Sequence, residues 1–149
     1  MNTAVQTYRE LLHSLTICPF CNIEENKLLV QHAYAYMTFS IAPYHEDHLL
    51  ILPNRHVESF MDLSDEEYTE IATLCRLGVK VLKTLGYADV TVLVREGKGS
   101  GKSVSHLHYH VIPDVLMQNA RQDPMARIVL NLEEQMVVAE KIKNTLLVV

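Results

Sequence analysis

The sequence predicts an α+β domain: an antiparallel β-sheet of about five strands, helices packed on it, and an extra helix at the C-terminal end. Three observations carry this expectation. Short runs rich in β-branched and aromatic residues recur between polar loops. A long central segment repeats its apolar residues every 3.6 positions behind a capping signal. The 149 residues, 48% hydrophobic and 21% charged, fit one domain over 1–149 with room for a real core.

The elements follow in order. Residues 4–15 place Val5, Tyr8, Leu11, Leu12 and Leu15 at helical spacing. A turn, Cys18-Pro19-Phe20-Cys21, comes next, and residues 28–30 and 34–41 read as two short strands. The polar stretch 43–47 leads to an apolar run, 48–53, which reads as a buried strand ended by proline. Ser64-Asp65-Glu66-Glu67 has the pattern of a capping box, and Tyr68, Ile71, Ala72, Cys75, Val79 and Leu82 continue a helix to about Leu85, with Gly86 as its C-cap. Residues 90–95 read as a strand. Residues 97–101 form a loop holding three of the five glycines, and 104–112 form another strand, stopped by Pro113. Asp123 and Pro124 read as N-cap and first residue of a final helix, about 124–147, with Met125, Ile128, Val129, Leu132, Met136, Ala139 and Ile142 on one face.

Composition narrows the function. Thirteen Lys and Arg against 18 Asp and Glu leave a net charge of −5, a poor basis for binding nucleic acid or an anionic membrane. No apolar run approaches the roughly 18 residues of a membrane span, and the N-terminus does not read as a signal peptide, so a cytoplasmic location is expected. Three cysteines without a secretion signal argue against a disulfide framework. Cys18 and Cys21 can form a redox pair or half of a metal site, and Cys75, inside the central helix, reads as a small buried hydrophobe.

The chemistry concentrates in residues 96–113. Side chains alternate faces along a strand, so His106, His108 and His110 fall on one face and Leu107, Tyr109 and Val111 on the other. Such a row is either a solvent-facing polar strip or a site, and imidazole can bind metal, move protons or attack an electrophile. The loop before it, Glu96-Gly97-Lys98-Gly99-Ser100-Gly101-Lys102-Ser103, offers backbone amides and two lysines, an anion cradle suited to phosphate if it is more than a plain hairpin. It is one residue too short for a Walker A loop and a strand follows it, so that reading is rejected. A phosphate cradle beside aligned imidazoles points to attack by histidine on phosphorus, with the central His108 as nucleophile. His13 and His32 read as structural or exposed, and His45 as a possible pocket residue.

The run His106-Leu107-His108-Tyr109-His110-Val111-Ile112 resembles the histidine triad (HIT) signature, His-φ-His-φ-His-φ-φ, where φ is apolar. Gly101-Lys102-Ser103-Val104 resembles that family's Gly-Gln-(Ser/Thr)-Val. Asp47-His48-Leu49-Leu50-Ile51-Leu52-Pro53, followed by His56, resembles its Gly-His-φ-Leu-φ-φ-Pro segment. The likeness runs from about residue 18 to 113 and does not cover the C-terminal helix. It implies a HIT-like fold and a nucleotide hydrolase or nucleotidyltransferase of the fragile-histidine-triad-like or Hint-like branches. Such an enzyme cleaves a phosphoanhydride or phosphoramidate at the α-phosphorus. The resemblance makes His108 the site of a nucleotidyl-histidine intermediate, has His110 contact the phosphate and puts His48 in the same pocket. It places the hydroxyl of Ser103 on the phosphate beside Gly101. Histidine at the third triad position, where the uridylyltransferase branch carries Gln, favours the hydrolase-like branches.

Cys18, Cys21, His56 and His106 match a structural zinc site that several branches share, and Cys2His2 is a closed tetrahedral set for Zn2+. Three positions depart from the family pattern: Arg95 stands for Asn, Lys102 for Gln, and Ser40 for the Asp or Asn that holds the ribose hydroxyls. Lys102 adds positive charge near the phosphate, which favours a more anionic substrate. The resemblance also implies a homodimer with a small-molecule nucleotide as substrate and no nucleic-acid or membrane partner. Two alternatives stay open: a metalloenzyme with the three histidines as ligands of a catalytic metal, and a noncatalytic nucleotide binder or zinc adaptor.

Overall fold

Five strands pair antiparallel in the order β1-β2-β3-β5-β4, with β1 Val30–Gln31, β2 Ala35–Phe39, β3 Leu49–Pro53, β4 Val90–Val94 and β5 Tyr109–Pro113. The computed structural model describes residues 4–114 and 123–149; the first three residues of the stretch read above for a signal peptide lie outside it. Helix α1 spans Tyr8–Ser14, α2 Asp65–Thr84 and α3 Leu132–Leu146. Among the described residues, no helix is long and apolar enough to cross a membrane.

Strand alternation divides the molecule into a core side and a site side. Ala35, Met37, Phe39, Leu49, Ile51 and Val111 turn to one face, where α2 and α3 bury it with Ile71, Leu74, Val81, Leu82, Val138 and Ile142. Tyr36, Leu50 and Leu52 turn to the other face and pack with Phe20, Ile23 and Leu28. Leu50 stands directly opposite His110 in the β3–β5 register, so the histidine row belongs to this second face. The helices therefore support the sheet from behind and leave its front free for chemistry.

The helix signals hold with a change of phase. Ser64 and Glu67 form both halves of the capping box. At the other end, Gly86 takes φ 104°; its amide bonds Lys83 O and the Tyr87 amide bonds Leu82 O, which closes the helix. The buried stripe of α2, however, runs through Ile71, Leu74, Gly78, Val81 and Leu82, while Tyr68 is 50% exposed and Ala72 lies at the surface. The reason is Gly78. A Cβ there would sit 3.5 Å from both Leu49 and Val111, so the helix rests its glycine on the sheet, and a glycine carries no apolar side chain to reveal that face. Cys75, expected to be buried, packs only half-buried at the core edge.

The final helix expected over 124–147 is not continuous. Asp123 caps only a short 3-10 turn, Pro124–Ala126. Residues 127–130 then run extended, because their backbone bonds elsewhere: Tyr8 N to Arg127 O at 2.7 Å, Val129 N to Gln6 O at 2.9 Å, Leu130 N to Ile41 O at 2.7 Å. Asn131 caps α3 afresh, and the new phase buries Val138, Ala139 and Ile142 while leaving Leu132 and Met136 exposed. The same pairing shortens α1 against the expected 4–15, since Thr7 bridges Ile128 and serves as the N-cap. The strand expected over 104–112 enters the ladder only at Tyr109, because Leu107 N is taken by Val57 O.

Ile142 is fully buried and Met136 is 65% exposed, although sequence spacing puts both on one face. Urea unfolding should show Ile142→Ala costing about 2–5 kcal/mol and Met136→Ala within about 0.5 kcal/mol of the parent. Equal losses would contradict this packing of α3.

Candidate active site

Four imidazoles line the site face, with His48 bonded to His110 and His108 bonded to the His106 carbonyl. The Tyr44 amide donates to His48 Nδ1 at 3.3 Å, so His48 carries its proton on Nε2 and donates it to His110 Nδ1 at 2.9 Å. His110 then carries its own proton on Nε2. His108 donates Nδ1–H to the His106 carbonyl at 2.9 Å, which leaves its Nε2 lone pair free. The His108 and His110 rings are 4.8 Å apart, and His110 lies 5.1 Å from His48. Burial is the main cause that pulls His108 down to about 4 and His110 to about 3; nearby positive charges add to it. His48, fully enclosed, is held well below its ordinary value by the same cause and by His110. All three rings are neutral near pH 7, and a neutral imidazole is the nucleophilic form.

A cavity opens in front of His108 and His110, walled by Phe20, Ser40, Tyr44, Arg95, Gly101 and Ser103, with Tyr8 and Arg127 closing it. The Phe20 ring is 5.4 Å from His108. Gly101 takes φ 89°, and Arg95 spans the loop by donating to Ser100 O at 2.7 Å. The Ser103 hydroxyl pairs with Tyr8 Oη at 2.7 Å. Ser40 bonds its amide to His48 O at 2.8 Å and borders both this cavity and a larger apolar cleft of about 390 Å³, lined in part by Leu11, Leu15, Ile23, Phe39 and Leu50. Lys102 does not line the cavity. Its ammonium donates to the Glu58 carbonyl in a separate polar depression, although its charge still helps to depress His108.

Sequence reasoning missed several neighbours. Asp47 adopts φ 65°, and its buried carboxylate accepts from Tyr87 Oη at 2.7 Å and faces Lys141 Nζ at 2.7 Å. It thereby fixes the turn that presents His48. The signal was present, since the family segment has Gly at this place and left-handed backbone explains why. Tyr8, Tyr44 and Arg127 lie outside any motif and gave no signal. His45 meets the Tyr87 ring edge-on and lines neither cavity; His13 is exposed and His32 half-buried.

A second cluster adjoins the row. The donor atoms of Cys18, Cys21, His56 and His106 all lie within 4.8 Å of one another. His106 Nδ1 is 3.5 Å from Cys18 Sγ and 3.6 Å from Cys21 Sγ, and His56 Nδ1 is 3.1 Å from Cys21 Sγ. Tetrahedral zinc with bonds of about 2.3 Å to sulfur and about 2.0 Å to nitrogen sets such pairs roughly 3.3–3.8 Å apart; the two His106 contacts fall in that range and the His56 contact is slightly shorter, so small shifts would let the set close on that ion. Both rings have their outer nitrogens occupied: His106 Nε2 donates to Pro53 O at 2.9 Å, and His56 Nε2 meets Glu58 Oε1 at 3.1 Å. Tyr36 Oη ties the cysteine turn to the sheet through Phe20 O at 2.7 Å. The triad rings do not converge as three ligands of one metal. The free nitrogen of His106 faces the cysteines, while Nδ1 of His108 and of His110 are each taken by a hydrogen bond.

The family model described as HIT domain matches residues 23–115. The adenosine 5′-monophosphoramidase of Schizosaccharomyces pombe is 32% identical over 100 residues, covering 64% of this chain and 73% of that protein. The AP-4-A phosphorylase of Mycobacterium tuberculosis is 29% identical over 100 residues, 66% of this chain and 51% of its own. Two solved structures share the fold. Plasmodium falciparum diadenosine triphosphate hydrolase has a TM-score of 0.70 at 21% identity, covering 93% of this chain and 95% of that one. A Zn-bound histidine triad family protein from Mycobacterium smegmatis has a TM-score of 0.65 at 16% identity, covering 91% and 95%.

Because His48 and His110 are depressed in the folded state, the unfolded chain binds more protons below pH 6.5. Their contribution to stability is complete above about pH 6.5 and falls as the pH drops toward their folded values, by about 1.4 kcal/mol per pH unit for each ring that stays neutral. Proton NMR should show His110 in the neutral form down to about pH 5 and His48 neutral well below pH 6.5. A titration near 6.5 for either would contradict the buried His48–His110 pair.

Proposed function

The chain belongs to the HIT domain family, and from that premise we propose that it is an enzyme cleaving a nucleoside phosphoanhydride or phosphoramidate at the α-phosphorus through a nucleotidyl-histidine at His108. The observation that carries this reading is the free Nε2 of His108, held neutral and facing a cationic cavity while Nδ1 is locked on the His106 carbonyl. Relatives named as an adenosine monophosphoramidase and an AP-4-A phosphorylase support a small nucleotide as substrate.

In the proposed cycle His108 Nε2 attacks phosphorus in line. The P–N bond forms as the bond to the leaving group breaks, and that group departs with the bonding pair. His110 Nε2–H and the Ser103 hydroxyl are the donors for the phosphoryl oxygens, with Gly101 allowing close backbone approach. Water then attacks the same phosphorus, the P–N pair returns to Nε2, and the water's proton is released to solvent as the nucleotide product ionises. The apolar cleft takes the nucleoside, with Ser40 at its junction with the cavity. A bound Zn2+ on Cys18, Cys21, His56 and His106 would leave no open position, so its role is to anchor His106 and through it the nucleophile. For the homodimer, β4 is the fitting element: it ends the sheet, all of its residues are β-branched or aliphatic, and Val92 is 46% exposed.

Incubation with a panel of adenosine nucleotides and mass analysis under basic quench should find a nucleotidyl adduct on the His108 peptide. His108→Ala should lower turnover at least about 10³-fold. Full turnover by that variant removes the reading. Metal analysis should find about one zinc per chain, kept by His108→Ala and lost with a lower melting temperature in Cys18→Ala; zinc lost only with His108→Ala would move the metal to the triad.

A further inference from the structure

The family match covers residues 23–115, yet three residues from outside it line the cavity in front of His108: Phe20 of the cysteine turn, Tyr8 and Arg127. The last two arrive together. The amide of Tyr8 bonds Arg127 O, Val129 N bonds Gln6 O, and Thr7 bridges Ile128, so the two terminal segments are clasped across the site. The Arg127 guanidinium lies over two rings, 3.8 Å from the Tyr44 centroid and 4.6 Å from that of Tyr8. Its Nε donates to Pro124 O at 2.6 Å. Among the described residues its two terminal amines have no acceptor and it makes no ion pair.

The surroundings point to an anion. Arg95 shares the same cavity, no carboxylate lines it among the described residues, and yet the whole chain carries a net charge of −5. Burial and the Arg95 charge both work against the Arg127 cation. Two guanidinium groups held in one small hollow without a counter-charge are costly unless a ligand supplies it. A planar guanidinium, already stacked in place, matches phosphate oxygens in pairs and loses little freedom on binding.

We propose that Arg127, with Arg95, binds the phosphates next to the one attacked, and so makes the enzyme selective for nucleotides linked through a polyphosphate chain over phosphoramidates. The assignment rests on the nucleotide reading above and narrows it. A phosphoramidate puts one short anionic group at His108; a polyphosphate adds further charges beside it, and both arginines line that same cavity. The Tyr8–Ser103 hydrogen bond ties the same clasp to a residue of the glycine loop.

The test is titration calorimetry of the full chain with AMP and with adenosine 5′-tetraphosphate, using the parent, Arg127→Met and Arg127→Lys, with melting temperatures recorded alongside. The parent should prefer the tetraphosphate. Arg127→Met should weaken the tetraphosphate about ten- to hundredfold and AMP by less than about threefold, and Arg127→Lys should recover part of the loss. An unchanged ratio of the two affinities in Arg127→Met overturns the proposal. So does an equal fall of both with a lowered melting temperature, which would make Arg127 only a structural clasp. If the parent binds neither nucleotide, the functional reading fails and this inference fails with it, a result distinct from an unchanged ratio.

Discussion

Three bonds to one residue organise the site. His106 gives Nε2–H to the Pro53 carbonyl, turns Nδ1 to the two cysteines, and offers its own carbonyl to His108 Nδ1–H. The first bond fixes which nitrogen is free for the second. The third fixes which nitrogen of His108 is free for chemistry. A carbonyl can only accept, so the proton of a neutral His108 must sit on Nδ1, and the lone pair must sit on Nε2. The tautomer of the nucleophile is thus set by backbone, and the position of that backbone is set by a side chain locked between the sheet and the cysteine turn.

Burial does the complementary work. The sheet register puts His110 opposite Leu50, and strand alternation sends both to the face the helices leave open. That face is wet enough to admit a ligand and dry enough to keep the imidazoles uncharged. Positive charge is supplied instead by arginines, which stay protonated under the same desolvation. The division of labour is physically coherent: neutral rings donate single hydrogen bonds or attack, and guanidinium groups offset the phosphate charge. Asp47 serves this division from behind, since its strained turn and its bonds to Tyr87 and Lys141 keep His48 at the end of the imidazole line.

Much of this was legible in the sequence, and the limits have physical causes. The period-two histidines, the glycine loop and the cysteine pair are local patterns, and the structure brings each of them to one face of the sheet. The buried stripe of α2 was misread because a glycine marks its closest approach and glycine carries no hydrophobic signal. The terminal helix was misread because Asp123-Pro124 is a genuine cap, but for a single turn; the next residues obey hydrogen bonds to Gln6, Tyr8 and Ile41, partners more than eighty positions away. Arg127 was invisible for the same reason. Its place over Tyr8 and Tyr44 is a tertiary fact with no trace in local spacing. Lys102 shows the converse, since its motif position suggested the phosphate cavity and its side chain reaches Glu58 instead.

The claim that His108 itself bonds to phosphorus is tested most directly by the stereochemical course of the reaction. A substrate made chiral at the attacked phosphorus with sulfur and oxygen isotopes would be hydrolysed and the product configuration determined. Two successive in-line displacements, each inverting, predict overall retention. Net inversion would mean that water attacks the substrate directly, and His108 would then be left with no covalent role.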